Sequence, residues 1–139
     1  MVRFLLDTNI LSEPLRPHPC STVMQQLASQ SKELSTAAVV YHEMLFGCRR
    51  LPKSKRQQAI AAYLQEEVET KLMILPYDAE AANWHAVERA RLMGGGKTPS
   101  FVDGQIAAIA VVHNLILVTN NTADFVDFQN VQLQNWFDS

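Results

Sequence analysis

The sequence lacks the features of a secreted, membrane-spanning or zinc-binding protein. It has only two cysteines in 139 residues, which allows no disulfide framework, and neither lies in a CxxC or Cys/His zinc spacing. No apolar run approaches the length of a bilayer span. The run 2–11 is interrupted by Arg3 and Asp7 and has no small-residue cleavage site, so no signal peptide is expected. These absences predict a cytoplasmic protein without a membrane partner.

A strong excess of positive charge is also missing. The formal net charge is −2, which is not that of a protein that coats nucleic acid nonspecifically. The segment "RRLPKSKR", residues 49–56, nevertheless holds five of the twelve basic residues. Such a run is most often a solvated helix face, and it gains functional weight only beside an active site. Length and an apolar fraction of 47% predict one globular domain over residues 1–139.

Short apolar segments alternate with segments of helical periodicity along the chain. Strands are predicted at "RFLLD", at the start of "ELSTA", at "LMILPYD" and "LILVTNN", and at a final edge strand, "VQLQNW". Helices are predicted within residues 21–30, 37–51, 54–71, 79–93 and 98–114. This alternation predicts an α/β fold with three α/β/α layers and a mainly parallel central sheet. In such folds the functional crevice lies at the carboxyl ends of the strands.

Half of the fourteen acidic residues can be assigned to the surface. Seven fall on predicted polar helix faces or near the end of the chain: Glu66, Glu67, Glu69, Glu80, Glu88, Asp127 and Asp138. Four others stand in unusual places. Asp7 ends a strand, Glu43 lies about 60° from the apolar stripe of its helix, and Asp103 and Asp124 each stand in the first turn of a predicted helix.

Each of the four has an ordinary structural explanation. Asp7 suits a turn, Glu43 can reach water from the helix boundary, Asp103 fits a capping box with Ser100, and Asp124 suits the helix dipole. Their shared position at one end of a parallel sheet favours a second interpretation. Crowded carboxylates repel one another unless they coordinate a cation, and oxygen-only ligands suit Mg²⁺ or Mn²⁺.

Four segments together resemble the PIN-domain ribonucleases, and among these the VapC-type toxins of bacterial toxin–antitoxin modules. They are "LLDTNILSE" at 5–13, "YHEMLFG" at 41–47, "FVDGQIAAIA" at 101–110 and "LVTNNTADF" at 117–125. The resemblance covers essentially the whole chain in the family's order and spacing. It implies Asp7, Glu43 and Asp103 as catalytic, metal-binding acids and Asp124 as a fourth catalytic acid. It further implies that Thr8, Asn9 and Thr119 support them.

The same resemblance implies metal-dependent hydrolysis of RNA phosphodiester bonds. It also implies two protein partners, a second copy of the chain and a VapB-type antitoxin that covers the active site. An acidic pocket needs a basic rim to hold RNA, and the candidates are Arg49, Arg50, Lys53 and Lys97. The competing hypothesis from another class is a catalytically inactive RNA-binding or protein-interaction domain on the same fold. Metal-dependent cleavage would distinguish the two.

Overall fold

The protein is built on one five-stranded parallel sheet. The computed structural model describes residues 1–138. The strands are β1 (Phe4–Leu6), β2 (Leu34–Ala37), β3 (Met73–Leu75), β4 (Ile116–Val118) and β5 (Gln132–Gln134). Their order across the sheet is β3-β2-β1-β4-β5, and every neighbouring pair is parallel. The prediction of a parallel α/β sheet with 131–136 as an edge strand is therefore confirmed.

In the part of the chain that the structure describes, six α-helices connect the strands. They are α1 (Thr8–Leu11), α2 (Ser21–Ser29), α3 (Ala38–Arg50), α4 (Lys55–Tyr63), α5 (Ala79–Gly94) and α6 (Phe101–Val112). Short 3-10 turns cover Glu13–Leu15, Ser31–Glu33 and Thr122–Asp124, and a π-helical segment, Leu64–Glu69, follows α4. The helix predicted over 54–71 is thus divided between α4 and the π-helical segment. No helix of the described chain is long and apolar enough to cross a membrane.

Helices cover both faces of the sheet. All three residues of β1 are buried, although successive side chains of a strand point to opposite faces. Both faces must therefore be covered, as parallel sheets require. Helix α6 is also buried over most of its length, from Gly104 to Ala110, with Gln105 as the partly exposed residue. The result is the predicted three-layer arrangement.

The strand register brings two chain segments together at the carboxyl edge of the sheet. Leu6 at the end of β1 is level with Val118 at the end of β4, and the amide of Asp7 donates to the Val118 carbonyl at 3.0 Å. The chain passes from β1 toward β2 and β3 on one side, whereas β4 and β5 lie on the other. The order of strands therefore reverses between β1 and β4, which is where open parallel sheets form a binding crevice.

One residue assigned to the surface proves to be buried. Glu88 on α5 is only 4% exposed, because its carboxylate is paired with Arg91 and bonded to the amide of Gln129. Its assignment to a polar helix face was wrong. The helical periodicity predicts which face of α5 carries Glu88. It does not predict that this face is covered by a segment about forty residues further along the chain.

Candidate active site

Asp7 is held at the junction of β1 and α1. It occupies the N-cap of α1, and its Oδ1 accepts a hydrogen bond from the Thr8 amide at 2.8 Å. Its other oxygen, Oδ2, accepts from the Thr119 hydroxyl at 2.8 Å. The side chain is only 7% exposed. A strand followed directly by a helix therefore places a nearly buried carboxylate at the sheet edge, with one hydrogen bond on each oxygen.

Thr119 is the centre of a network that joins the ends of β1 and β4. Its hydroxyl donates to Asp7 and also accepts from the Asn9 side-chain amide at 3.3 Å and from the Asn121 backbone amide at 3.0 Å. The side-chain oxygen of Asn9, Oδ1, accepts from the Asn120 backbone amide at 2.9 Å. These contacts place Asn9 and Thr119 where the sequence predicts supporting residues.

Asp7, Glu43 and Asp103 line one cleft. Its remaining lining residues are Thr8, Asn9, Val102, Ile106 and Asn121. Glu43 comes from α3, where it is exposed, and Asp103 comes from the first turn of α6, where it is partly buried. The Asp103 amide donates to the Ser100 hydroxyl at 3.3 Å, which is one half of the predicted capping arrangement. The predicted acids thus reach the cleft from β1, α3 and α6.

The fourth acid stands beside this cleft. Asp124 is exposed at the end of the 3-10 turn that follows β4, and it lines an adjoining groove together with Asp103, Lys97 and Ser100. Because Asp103 borders both the cleft and this groove, the two acidic surfaces are continuous.

The acids repel one another electrostatically. Desolvation by burial raises the pKa of Asp7, and the charge of Asp124 adds to this, although hydrogen bonds from Thr8 and Thr119 act in the opposite direction. Burial, followed by the charges of Asp124 and Asp7, raises the pKa of Asp103 to about 6. Raised carboxyl pKa values in a cleft are typical of functional sites. A cation at the cleft would remove this repulsion.

The donor set fits a hard divalent cation but is not already closed around one. Carboxylate oxygens are the ligands that Mg²⁺ and Mn²⁺ prefer. Within residues 1–138, however, no three His, Cys, Asp or Glu side chains form a compact metal-binding group. Binding would therefore require the side chains of Glu43 and Asp103 to move toward the fixed carboxylate of Asp7 within the cleft they share.

The four predicted RNA-contacting cations lie in different surroundings. Arg49 lines the groove between α3 and α4, and the guanidinium of Arg50 lies over the exposed Phe46 ring, 5.1 Å from its centroid. Lys53 is exposed in the loop after α3. Lys97 borders the Asp103 groove, where its amine is 2.9 Å from the Asp127 carboxylate.

The structure adds two asparagines to the predicted site. Asn121 lines the cleft. The backbone amide of Asn120 donates a hydrogen bond to the side chain of Asn9 on α1. The signal in the sequence for both asparagines is the polar run "TNN", which directly follows a strand. Of its three residues, only Thr119 is among the predicted supporting residues. His42 precedes Glu43 on α3. It stacks on Phe46, with ring centroids 6.2 Å apart, and is not among the residues that line the cleft.

The parallel sheet with an acidic cleft at its switch point defines the class of the protein as an α/β protein with a candidate metal-binding site. The chain belongs to the PIN domain family, whose model matches residues 4–131. It is similar to the VapC ribonuclease Y4jK of Sinorhizobium fredii, with 33% identity over 124 residues, 87% of this chain and 89% of the relative. It is also similar to toxin FitB of Neisseria gonorrhoeae, with 32% identity over 137 residues, 96% of this chain and 99% of the relative. The crystal structure of FitAcB from Neisseria gonorrhoeae superimposes with a TM-score of 0.89 at 31% identity, covering 98% of this chain and 99% of that one.

Proposed function

We propose that this protein is a metal-dependent endoribonuclease toxin that hydrolyses RNA phosphodiester bonds. The observation that carries the proposal is the shared cleft of Asp7, Glu43 and Asp103 at the sheet's switch point. Its family relatives support it, because one is named a VapC ribonuclease and another a toxin.

The catalytic acids would hold Mg²⁺ or Mn²⁺. Asp7, Glu43 and Asp103 are the proposed ligands, and Asp124 is a fourth catalytic carboxylate beside them. When bound, the ion would polarise a phosphate oxygen and lower the pKa of water. Hydrolysis adds the oxygen of water to phosphorus and releases one ribose oxygen, which takes a proton.

The hydrogen-bonded neighbours of Asp7 would keep its carboxylate in one orientation. Thr119 and the Thr8 amide each occupy one lone-pair direction on a different carboxylate oxygen, which leaves the remaining lone pairs free to face the cleft. Asn9 holds Thr119 in turn. The orientation of the Asp7 carboxylate would therefore depend on uncharged residues that follow β1 and β4.

RNA would be held by the four predicted cations, which lie outside the acidic cleft itself. Arg49 and Arg50 end the helix that carries Glu43, Lys53 follows that helix, and Lys97 precedes Asp103 in the adjoining groove. Each would bind a phosphate that flanks the cleaved bond. Charge reversal at Arg49 and Arg50 should weaken RNA binding, and for each phosphate that is no longer neutralised the slope of the salt dependence should fall by about one.

The exposed apolar surface suits the two protein partners. Phe46 is 53% exposed on α3, and Phe101 is 48% exposed at the start of α6. A groove that shares no lining residue with the acidic cleft is lined by apolar side chains that include Leu11, Met24 and Tyr63. We propose that these surfaces bind a second copy of the chain and a VapB-type antitoxin that suppresses cleavage. Sedimentation of the protein alone and with the antitoxin would measure both associations.

Cleavage of total bacterial RNA by the purified chain tests the enzymatic proposal. Reactions would contain Mg²⁺, Mn²⁺ or EDTA, and Asp7→Asn would be compared with Glu66→Gln, which removes an exposed carboxylate outside the cleft. We expect discrete fragments from the wild type and Glu66→Gln with metal, and none from Asp7→Asn or with EDTA. RNA binding without cleavage by the folded protein would instead support the inactive RNA-binding domain.

A further inference from the structure

The segment that carries Asp124 has little regular structure of its own. Between β4 and β5 the described chain forms one 3-10 turn, Thr122–Asp124, and is otherwise irregular. Phe125 and Phe128 anchor it in the core, at 1% and 5% exposure. Asp124 itself is exposed. The position of its carboxylate relative to Asp103 therefore depends on how residues 122–130 are attached to the rest of the molecule.

An ion pair on α5 between the buried Glu88 and the exposed Arg91 provides that attachment. Glu88 accepts from Arg91 Nε at 2.9 Å and from Arg91 Nη2 at 2.8 Å. Glu88 Oε1 also accepts from the Gln129 backbone amide at 2.7 Å, and Arg91 Nη2 donates to the Asp127 carbonyl at 2.8 Å. Both members of the pair thus bind the backbone of the segment that follows Asp124.

Stability alone is a weak explanation for this pair. A glutamate at 4% exposure loses most of its hydration, and its attraction to Arg91, whose side chain is 39% exposed, is partly screened by solvent. What an apolar residue could not provide is the charged acceptor for Gln129 and the oriented guanidinium for Asp127. Charge-assisted, bidentate hydrogen bonds are directional and therefore fix geometry.

We infer that Glu88 and Arg91 are positioning residues that act on the active site through Asp124. By holding the backbone at Asp127 and Gln129, they keep the Asp124 carboxylate beside Asp103. The inference rests on the proposed function, which makes Asp124 a catalytic acid whose negative charge, next to the metal ligand Asp103, adds to the affinity for a cation.

The test compares the same substitution in two ion pairs. Glu88→Leu fills the buried position but removes the acceptor, whereas Glu67→Leu breaks the exposed pair with Lys71, whose atoms are 2.7 Å apart. In Glu88→Leu we expect faster amide hydrogen exchange across residues 122–130, about ten-fold weaker Mn²⁺ binding and a similar fall in kcat at unchanged KM. Glu88→Gln should restore part of each, because its amide oxygen can still accept from Gln129. Glu67→Leu should change none of them.

A double-mutant cycle shows whether Glu88 acts through Asp124. In an Asp124→Asn background, Glu88→Leu should cause no further loss of Mn²⁺ affinity or kcat. An equal loss in both backgrounds, or unchanged exchange in residues 122–130, would overturn the inference. If Glu88→Leu does not fold, Glu88→Gln and the same cycle decide the question.

Failure of the inference can be separated from failure of the proposed function. Absence of RNA cleavage by the wild type contradicts the function. Hydrogen exchange and Mn²⁺ binding do not depend on cleavage, so they still decide whether the ion pair positions Asp124.

Discussion

Replacing Asp103 by asparagine should stabilise the metal-free protein at neutral pH. Burial, followed by the charges of Asp124 and Asp7, raises the pKa of Asp103 from 3.8 to about 6. Between about pH 4 and pH 6 the folded protein therefore holds a proton that the unfolded chain has released, and stability falls as the pH rises through this window. Above about pH 6 the ionised carboxylate destabilises the fold, so its removal should help.

The expected gain is about 1 kcal/mol. A shift of about two pKa units corresponds to about 3 kcal/mol, and the partial exposure of Asp103 reduces this to about 1 to 2 kcal/mol. Loss of the favourable interaction with the α6 dipole removes about 0.5 kcal/mol more. For a chain of 139 residues, about 1 kcal/mol raises the melting temperature by about 4 °C.

Thermal unfolding followed by circular dichroism in EDTA measures this effect. Asp103→Asn should melt higher than the wild type at pH 7.5 but at the same temperature near pH 4, where the folded wild type is already protonated. Glu80→Gln is the matched control, because it removes an exposed acid from the first turn of α5 and should lower stability slightly at pH 7.5. A destabilised Asp103→Asn at pH 7.5, or an equal gain at both pH values, would refute the electrostatic reasoning. Excess Mg²⁺ should stabilise the wild type more than the variant.

Three further substitutions test the interactions of buried residues. Thr119→Val removes the hydroxyl that binds Asp7 and should cost about 1 to 3 kcal/mol and lower kcat, whereas Thr119→Ser should retain both; urea unfolding and RNA cleavage measure this. Gly104→Ala would place its Cβ 2.2 Å from the buried His85 ring and should destabilise by about 1 to 3 kcal/mol, and adding His85→Ala should recover part of the loss in the same unfolding assay. Glu13→Ala removes a carboxylate at 3% exposure that accepts from a loop amide at 2.7 Å, and should lower stability by about 1 to 3 kcal/mol without a change in KM. An unchanged urea midpoint in any of the three would contradict the interaction assigned to that residue.

The order of elements could be predicted because its signals are local. Apolar runs such as "FLL" and "ILV" became β1 and β4, and the helices predicted within 79–93 and 98–114 correspond to α5 and α6, with ends that differ by at most three residues. The "DTN" segment, interpreted as a turn or an active-site motif, serves as both: Asp7 caps α1 and lines the cleft.

The charged residues at 13 and 88 show where prediction failed. Glu13 received no role and Glu88 was placed on the surface, yet both are buried. A charged side chain can be buried only where partners satisfy it, and for Glu88 these include the Gln129 amide, 41 residues away in sequence. No periodic pattern within α5 contains that information.

Local pattern and motif spacing were thus sufficient to specify the fold class and the acids of the cleft, since period, capping and strand-end positions are properties of neighbouring residues. The tertiary structure alone decided how these groups interact. The β1–β4 register joins Asp7 to Thr119 across 112 positions, and the docking of 122–130 on α5 places Asp124 beside Asp103. Contacts between such distant residues follow from the packed chain, in which burial and shared hydrogen bonds set both the geometry and the pKa values of the site.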